Sequence, residues 1–145
     1  MIPTLEKEIS SRLADHEVRF TRGRREVITA LVDADGPRSA AELHDVIGGR
    51  VPLSSLYRSL AVLEETGVVV PHFATKGLSR YELAEWLRGH HHHLVCIDCG
   101  AVEDVEIPTK VELRLESIVS EVATKSEFQP LDHALEIEGR CSRCA

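Results

Sequence analysis

Two pairs of cysteines constrain this chain of 145 residues more than any other feature. All four cysteines lie in the last third of the sequence, as Cys96-x-x-Cys99 and Cys141-x-x-Cys144. A Cys-x-x-Cys pair can hold a metal ion from one tight turn, and two such pairs form a tetrahedral thiolate site for zinc. Redox-active pairs and adventitious thiols are the alternatives, but a redox pair normally opens a helix, whereas Cys96 ends a strand-like run. The predicted ligands of a structural Zn(II) are Cys96, Cys99, Cys141 and Cys144.

A run of four histidines, His90 to His93, precedes the first cysteine pair. Successive side chains of a strand point to opposite faces, so one run can supply two different sets of nitrogen and oxygen donors. One plausible ligand set, which straddles the two lobes, consists of Glu82, His91, His93 and Asp104. The predicted second metal site consists of His90, His92, Glu112 and His133. A solvated histidine loop and an expression tag are the alternatives, although a tag would lie at a terminus.

Helical periodicity dominates the first part of the chain. The sequence predicts helices over 5–14, 21–33, 39–47 and 54–66, with N-caps at Thr4, Thr21, Ser39 and Ser54. A β-branched run over 68–70, broken by Pro71, and a returning strand over 80–83 predict a hairpin with Lys76-Gly77 in its loop. Helices followed by such a hairpin are the layout of a winged helix-turn-helix.

Basic and small polar residues mark two of these helix starts. The helix dipole mildly disfavours cations at a helix N-terminus, so phosphate contact explains arginines there better than helix stability does. Hydroxyls, an aromatic residue and an arginine open the fourth helix, which suits insertion into a major groove of DNA. The predicted DNA-binding residues are Arg19, Arg22, Arg24, Ser54, Ser55, Tyr57 and Arg58. A solvated helix start and an ordinary amphipathic helix are the alternative interpretations.

The second part of the chain predicts a β-β-α-β order. Strands are expected over 91–97, 101–107 and 131–138. A helix is expected over 109–124, with Val111, Leu115, Ile118, Val119 and Val122 pointing inward. The predicted fold is therefore α+β, with an N-terminal winged helix-turn-helix and a small β-β-α-β dimerisation domain that carries the four-cysteine zinc site. The predicted divisions are a DNA-binding domain at 1–84, a hinge at 85–92 and a dimerisation and metal-binding domain at 93–145.

The formal net charge of −7 would disfavour a nucleic-acid partner if it were spread evenly. The first lobe (residues 1–84) carries 11 Lys and Arg against 12 Asp and Glu, whereas the second lobe (residues 85–145) carries 6 against 12. The acidity therefore belongs to the lobe with most of the predicted metal donors. The sequence shows no apolar run of membrane-spanning length and no secretory signal, so a cytoplasmic protein with reduced thiols is expected.

The chain resembles the ferric uptake regulator family of bacterial metal-responsive repressors over nearly its whole length. The most specific part of the resemblance runs from His90 to Gly100 and continues with Asp104, Asp132-His133 and the last cysteine pair. The segment from Ser55 to Leu60 is similar to the family's recognition helix, and the segment from Arg19 to Arg24 is similar to its second-helix start. The resemblance implies the three metal sites named above, a homodimer, double-stranded operator DNA as partner, no membrane and no enzymatic activity.

Three positions bear on the regulatory site. Family members often contribute a histidine from the turn before the third helix, where this chain has Pro37. The site therefore has four protein ligands, or it recruits water or another residue such as His72. Iron-responsive members usually have Glu at the position of Asp104, and peroxide-sensing members often have Asp. Zinc-responsive members often place a cysteine near the end of the wing, and this chain has none there.

These observations predict a dimeric, metal-dependent DNA-binding repressor of metal homeostasis genes, activated by a divalent metal at the interdomain site. The regulatory metal is expected to be Fe(II), Zn(II) or Mn(II), because donor type alone does not choose among them. A peroxide-sensing regulator of the same family is the first alternative. A metal-dependent hydrolase is less favoured, because the sequence offers no convincing nucleophile and general base and leaves the DNA-reading part unexplained.

Overall fold

The computed structural model describes residues 1–73 and 77–145. Its helices are α1 Pro3–Asp15, α2 Arg22–Val32, α3 Ala40–Ile47, α4 Leu53–Glu65, α5 Glu85–Arg88 and α6 Thr109–Lys125. Its strands are β1 Arg38–Ser39, β2 Val69–Phe73, β3 Ser79–Leu83, β4 His92–Cys96, β5 Val102–Val105 and β6 Glu136–Gly139. A winged helix-turn-helix is followed by a β-β-α-β unit, so the predicted α+β fold is confirmed.

Two of the predicted N-caps are confirmed. The Thr21 hydroxyl accepts a hydrogen bond from the Arg24 backbone N–H (3.4 Å) at the start of α2. At α3, Ser39 accepts from the Glu42 N–H (3.2 Å) and the Glu42 carboxylate accepts from the Ser39 N–H (2.7 Å), which is a reciprocal capping box. The helix ends at Gly48, whose φ of 67° is a left-handed conformation that glycine adopts without strain.

The other two predicted N-caps are wrong. α1 begins at Pro3, whose fixed φ and missing N–H suit the first helical position, so Thr4 lies inside the helix. α4 begins at Leu53, and its N-cap position is Pro52. Ser54 therefore lies in the first turn of α4, where its side chain is exposed.

One apolar core holds α1 to α4 together. Its fully buried side chains include Ile9, Leu13, Ile28, Leu43, Leu56 and Leu60. Residues three or four apart form one apolar stripe on each helix, which is the pattern of a helix packed on a core. Val46 of α3 is 64% exposed, because Leu43 and Ile47 fill the core from this short helix.

The wing is the hairpin of β2 and β3, in a sheet of order β1-β3-β2. The predicted break at Pro71 is wrong, because Pro71 lies within β2 and pairs with Tyr81. β2 is an edge strand, where a missing N–H can face away from the ladder. The predicted loop residue Lys76 lies outside the described residues.

The second lobe contains a sheet of order β5-β4-β6 and helix α6. β4 pairs antiparallel with β5 and parallel with β6. The predicted strand over 131–138 is shorter in the structure, because β6 begins at Glu136, opposite His93, and the residues before it extend past the start of β4. The predicted hinge over 85–92 contains α5 and reaches the first residue of β4. The domain boundaries remain a prediction.

The apolar face of α6 is largely uncovered in the single chain. Ile118 is 56% exposed and Val122 is 60% exposed, so the prediction that they point inward is wrong for one chain. The second lobe's own core is small and is formed by Val95 and Val102. Among the helices that the structure describes, none combines the length and the apolar character needed to cross a membrane.

The loop before α3 packs directly on β5 of the second lobe. The Asp104 backbone N–H donates to the Asp35 carbonyl at 2.9 Å. A Cβ atom on Gly36 would overlap the Val102 carbonyl oxygen and lie 2.9 Å from the Glu103 Cα atom, so only glycine allows this approach. The two lobes are therefore in direct backbone contact.

Gly36→Ala is expected to push this loop away from β5, because the atoms that its methyl group meets belong to the backbone and cannot rotate away. We expect the free energy of unfolding to fall by about 1–3 kcal/mol, as is typical of overpacking. Urea unfolding of the full chain in the presence of zinc, followed by circular dichroism, measures the change. Gly23→Ala is the matched control, because its Cβ would meet only Val51, at 3.9 Å. Equal stability of the two variants would contradict the close packing.

Candidate metal centres and nucleic-acid interface

The four cysteines come together at one end of the second lobe's sheet. Cys96 ends β4, and the turn that follows is closed by the Gly100 N–H, which donates to the Cys96 carbonyl at 2.9 Å. Cys141 and Cys144 lie in the turn after β6, where the Cys144 N–H donates to the Cys141 carbonyl at 2.9 Å. The four sulfur atoms lie within 4.8 Å of one another, and none of them is in a disulfide.

Backbone N–H groups favour the thiolate form at this cluster. The Cys141 N–H donates to the Cys96 sulfur at 3.4 Å. This bond and a second one from the Cys99 N–H lower the pKa of Cys96 to about 6. Because the thiolate is the form of cysteine that binds metal, the four converging sulfurs fit a tetrahedral zinc ion. A metal that joins these two turns would contribute directly to the folding of a lobe with so small a core.

A second cluster lies between the two lobes and contains Glu82, His91, His93 and Asp104. Glu82 comes from β3 of the wing, the histidines from the start of β4, and Asp104 from β5. The Glu82 Oε2 atom lies 3.0 Å from His91 Nε2 and 3.1 Å from His93 Nε2. Asp104 Oδ1 lies 3.6 Å and 3.5 Å from the same two nitrogens. The structure thus brings the four predicted regulatory donors into one site, and their role as ligands stays a prediction.

The carboxylates of this interlobe cluster are poorly compensated. Both oxygens of Asp104 are buried and accept no hydrogen bond from any residue in the described part of the chain. Burial raises the pKa of Asp104, which the nearby Arg88 guanidinium opposes. Burial would also raise the pKa of Glu82, but the hydrogen bonds from His93 and His91 outweigh it and lower the pKa overall. The ion pair with Arg88 compensates Oδ2, but Oδ1 is buried without a hydrogen bond from the described residues, so this site fits a cation.

Arg88 connects the interlobe cluster to the helical core of the first lobe. Its guanidinium forms an ion pair with Asp104, with Nη2 2.6 Å from Oδ2. It also donates to the carbonyls of Leu31 (3.2 Å) and Ala34 (2.8 Å) at the end of α2. Sequence reasoning missed Arg88, although its position directly before the histidine run was a visible signal.

A third cluster lies within the second lobe and contains His90, His92, Glu112 and His133. The Glu112 carboxylate, in the first turn of α6, accepts hydrogen bonds from His92 Nε2 (2.8 Å) and His133 Nε2 (2.6 Å). The bond from His92 is the main reason why the pKa of Glu112 is lowered. The structure thus also brings the four predicted donors of the second site together.

The two clusters differ in the hydrogen bond made by Nδ1, the histidine ring nitrogen that points away from the cluster. In the interlobe cluster, His91 Nδ1 donates to the Gly89 carbonyl at 2.9 Å, so a metal that displaces the proton between Nε2 and Glu82 leaves a neutral imidazole. In the third cluster, His92 Nδ1 accepts from the Leu135 N–H at 3.2 Å, so the ring proton lies on Nε2, which faces the cluster. A metal that displaced that proton would leave the His92 ring with no proton at all. The interlobe cluster is therefore better prepared than the third cluster to bind a metal.

The predicted DNA-binding residues lie at the two helix starts that border one exposed cleft of about 340 Å³. The lining of this cleft includes Thr21, Gly23, Arg24, Arg50, Pro52, Ser55 and Arg58. The predicted residues that are exposed at the same helix starts are Arg19, Arg22, Ser54 and Tyr57.

Arg50 was missed by sequence reasoning. It stands just before α4 and lines the cleft, and its ion pair with Glu26 at 3.1 Å offsets part of its positive charge. Contact of the surface with DNA stays a prediction.

Comparison with known proteins agrees with this arrangement. The sequence profile of the ferric uptake regulator family matches residues 15–138. The chain is 38% identical over 130 residues to the zinc uptake regulation protein of Mycobacterium tuberculosis, a match that covers 88% of this chain and 95% of that protein. It is 31% identical over 141 residues to the ferric uptake regulation protein of Bacillus subtilis, with 94% and 91% covered.

A solved structure supports the same assignment. The crystal structure of the ferric uptake regulator of Vibrio cholerae superposes with a TM-score of 0.70 at 30% identity, over 91% of this chain and 98% of that one. Members of the family are DNA-binding and metal-binding repressors. The chain therefore belongs to the ferric uptake regulator family and is a metal-dependent transcriptional regulator rather than an enzyme.

Proposed function

We propose that this chain is a homodimeric repressor of metal homeostasis genes that binds double-stranded operator DNA when a divalent metal occupies the interlobe cluster. One observation carries the proposal. The Glu82 carboxylate of the wing lies 3.0 Å and 3.1 Å from two histidines of the second lobe. Ligands to one metal ion therefore come from both the DNA-reading lobe and the lobe proposed to dimerise.

The chain's own residues define the arrangement that a metal selects. Glu82 and Asp104 converge on the same two imidazoles only when the wing lies against the second lobe. A bound divalent cation would supply the positive charge that these carboxylates lack. Because the closed arrangement has the donors in place, it binds metal more tightly and its population rises. The closed arrangement then sets the angle between the two DNA-binding lobes of a dimer.

The uncovered face of α6 supports the proposed homodimer. Val111, Ile118 and Val122 are exposed along it. An adjoining cleft of about 380 Å³, lined in part by Phe128 and Pro130, extends the apolar surface. Burial of such surface drives association. A twofold dimer would present two copies of α4 to a pseudo-palindromic operator, in the cytoplasm where that DNA lies.

The donor types support Fe(II), Zn(II) or Mn(II) as the regulatory metal and Zn(II) as the structural one. Imidazole and carboxylate ligands suit all three regulatory candidates, whereas four thiolates strongly favour zinc. The two relatives are named for zinc uptake and for ferric uptake, so they support no single choice. The second-lobe cluster is expected to fill after the interlobe cluster, because His92 holds its proton toward the site.

Replacement of both His91 and His93 by Ala is expected to abolish the gain in DNA affinity that metal produces, because each imidazole is a proposed ligand. Fluorescence anisotropy measures it, on a duplex that the wild-type chain selects from a random library in the presence of metal. His16→Ala is the control, since His16 is exposed and lies outside every metal cluster of the described residues. Metal-dependent binding equal to that of the control would refute the regulatory role.

Arg58→Ala is expected to weaken binding to all duplexes, because Arg58 is proposed to contact a phosphate. The slope of log affinity against log salt concentration should become shallower by about 1. Lys125→Ala removes the same unit of charge from the second lobe, where Lys125 pairs only with Glu121 among the described contacts. An identical salt dependence of the two variants would show that Arg58 does not face DNA.

Cys144→Ser is expected to release the structural zinc and to unfold much of the second lobe, since its own core is small. Zinc per protomer after gel filtration, together with amide hydrogen exchange of the second lobe, measures both effects. Ser142→Ala changes one of the two residues between Cys141 and Cys144 and leaves all four sulfurs, so it should retain zinc. Stoichiometric zinc in the Cys144→Ser variant would exclude a four-thiolate site.

A further inference from the structure

We propose that His72 on the wing is an additional ligand of the interlobe metal site and that Glu136 is the carboxylate that orients it. The proposal rests on the proposed function, because it takes the interlobe cluster as a metal site. Glu82, His91, His93 and Asp104 form the compact donor set. His72 lies at the border of this set.

The register of the wing puts His72 and Glu82 on one face. Glu82 pairs with Val70, and His72 pairs with Arg80, two residues along each strand. Residues two apart on a strand, and residues directly paired across a ladder, share a face. His72 and Glu82 are therefore diagonal neighbours on the side of the wing that meets the second lobe.

The His72 ring is buried against a proposed ligand. Its side chain is 12% exposed, and its centroid lies 4.6 Å from that of His93, edge to face. Its Nδ1 atom is buried and has no hydrogen-bond partner among the residues that the structure describes. An unpaired buried imidazole nitrogen is unfavourable unless something else satisfies it, and a metal ion would do so.

The other nitrogen of His72 has the partner that a metal-bound histidine usually has. His72 Nε2 donates to Glu136 Oε2 at 3.1 Å, because an ionised carboxylate can only accept. The proton is then on Nε2, and the lone pair of Nδ1 is available. A carboxylate–histidine pair of this kind fixes the tautomer and the ring orientation of metal ligands. Glu136 stands opposite His93 in the β4–β6 ladder, so the pair lies at the border of the interlobe cluster.

A ligand at His72 would compensate for the proline at position 37. In many family members one donor comes from the wing and one histidine comes from the turn before the third helix. In this chain the wing would contribute both donors, Glu82 and His72. The full set would be three imidazoles and two carboxylates. Five protein donors exceed the four of a typical tetrahedral zinc site, so the site would favour metals that accept five or six ligands. To complete the set, the His72 ring would turn toward the four donors, because the compact set does not include it.

Co(II) titration of the full chain tests the proposal, with zinc in the four-cysteine site and His133→Ala in every sample to remove the second-lobe cluster. The intensity of the visible Co(II) absorption bands reports the ligand number, and competition with a chelator reports the affinity. His72→Gln is expected to weaken Co(II) binding at least 10-fold and to change the band intensities. Glu136→Gln should weaken binding by about 10–100-fold, as is usual for partners of metal-bound histidines. His16→Gln, which changes an exposed histidine, should match the parent.

Two outcomes separate this inference from the function on which it rests. If His72→Gln matches His16→Gln in both affinity and spectrum, His72 is not a ligand and only holds the wing to Glu136. If His91→Ala also leaves Co(II) binding unchanged, the interlobe cluster is not the metal site and the proposed function itself fails. A loss with His91→Ala but not with His72→Gln overturns the inference alone.

Discussion

The approach of the Glu82 carboxylate to His91 and His93 is the contact on which the rest of the structure depends. It joins β3 of the wing to the start of β4, two elements that belong to different lobes. Neighbouring contacts hold the same junction, since Gly36 packs on β5 and the Asp104 N–H donates to the Asp35 carbonyl. Backbone packing sets the distance between the lobes, and a cation at the proposed metal site would stabilise that distance.

The hydrogen-bond partner of one ring nitrogen decides whether the other nitrogen of that histidine carries a proton or has a lone pair for a metal. His91 donates from Nδ1 to a carbonyl, and His92 accepts at Nδ1 from an N–H. Adjacent residues of one run therefore present the same nitrogen, Nε2, to their clusters, but their Nδ1 atoms have opposite hydrogen-bond roles. His72 donates to a carboxylate and leaves a buried nitrogen unpaired. The identity of the residue alone could not distinguish these states, because the partners of His92 and His72 are remote in sequence.

Several of the sequence-based predictions are wrong for one physical reason. A local pattern forms a paired strand or a buried face only if a neighbouring strand or helix lies beside it. Pro71 is tolerated within β2 because β2 is an edge strand. The alternating pattern after Leu131 yields no strand until Glu136, where the ladder with His93 of β4 begins. Val122 and Ile118 follow a helical stripe correctly, yet nothing in one chain covers them. The periodic patterns are present in the sequence, but the pairing and burial of their residues depend on the strand or helix that lies opposite them.

The sequence by itself determined the order of elements, the alternation of the histidine run and the convergence of the two cysteine pairs, because periodicity and ligand spacing are local properties of the chain. It also indicated the two helix starts that carry arginine and hydroxyl groups. Only the tertiary structure decided that Arg88 pairs with Asp104, that Arg50 joins the cleft at these helix starts, and that His72 lies against His93. These contacts join residues far apart in the chain, and they exist because the two lobes pack at one particular distance and register.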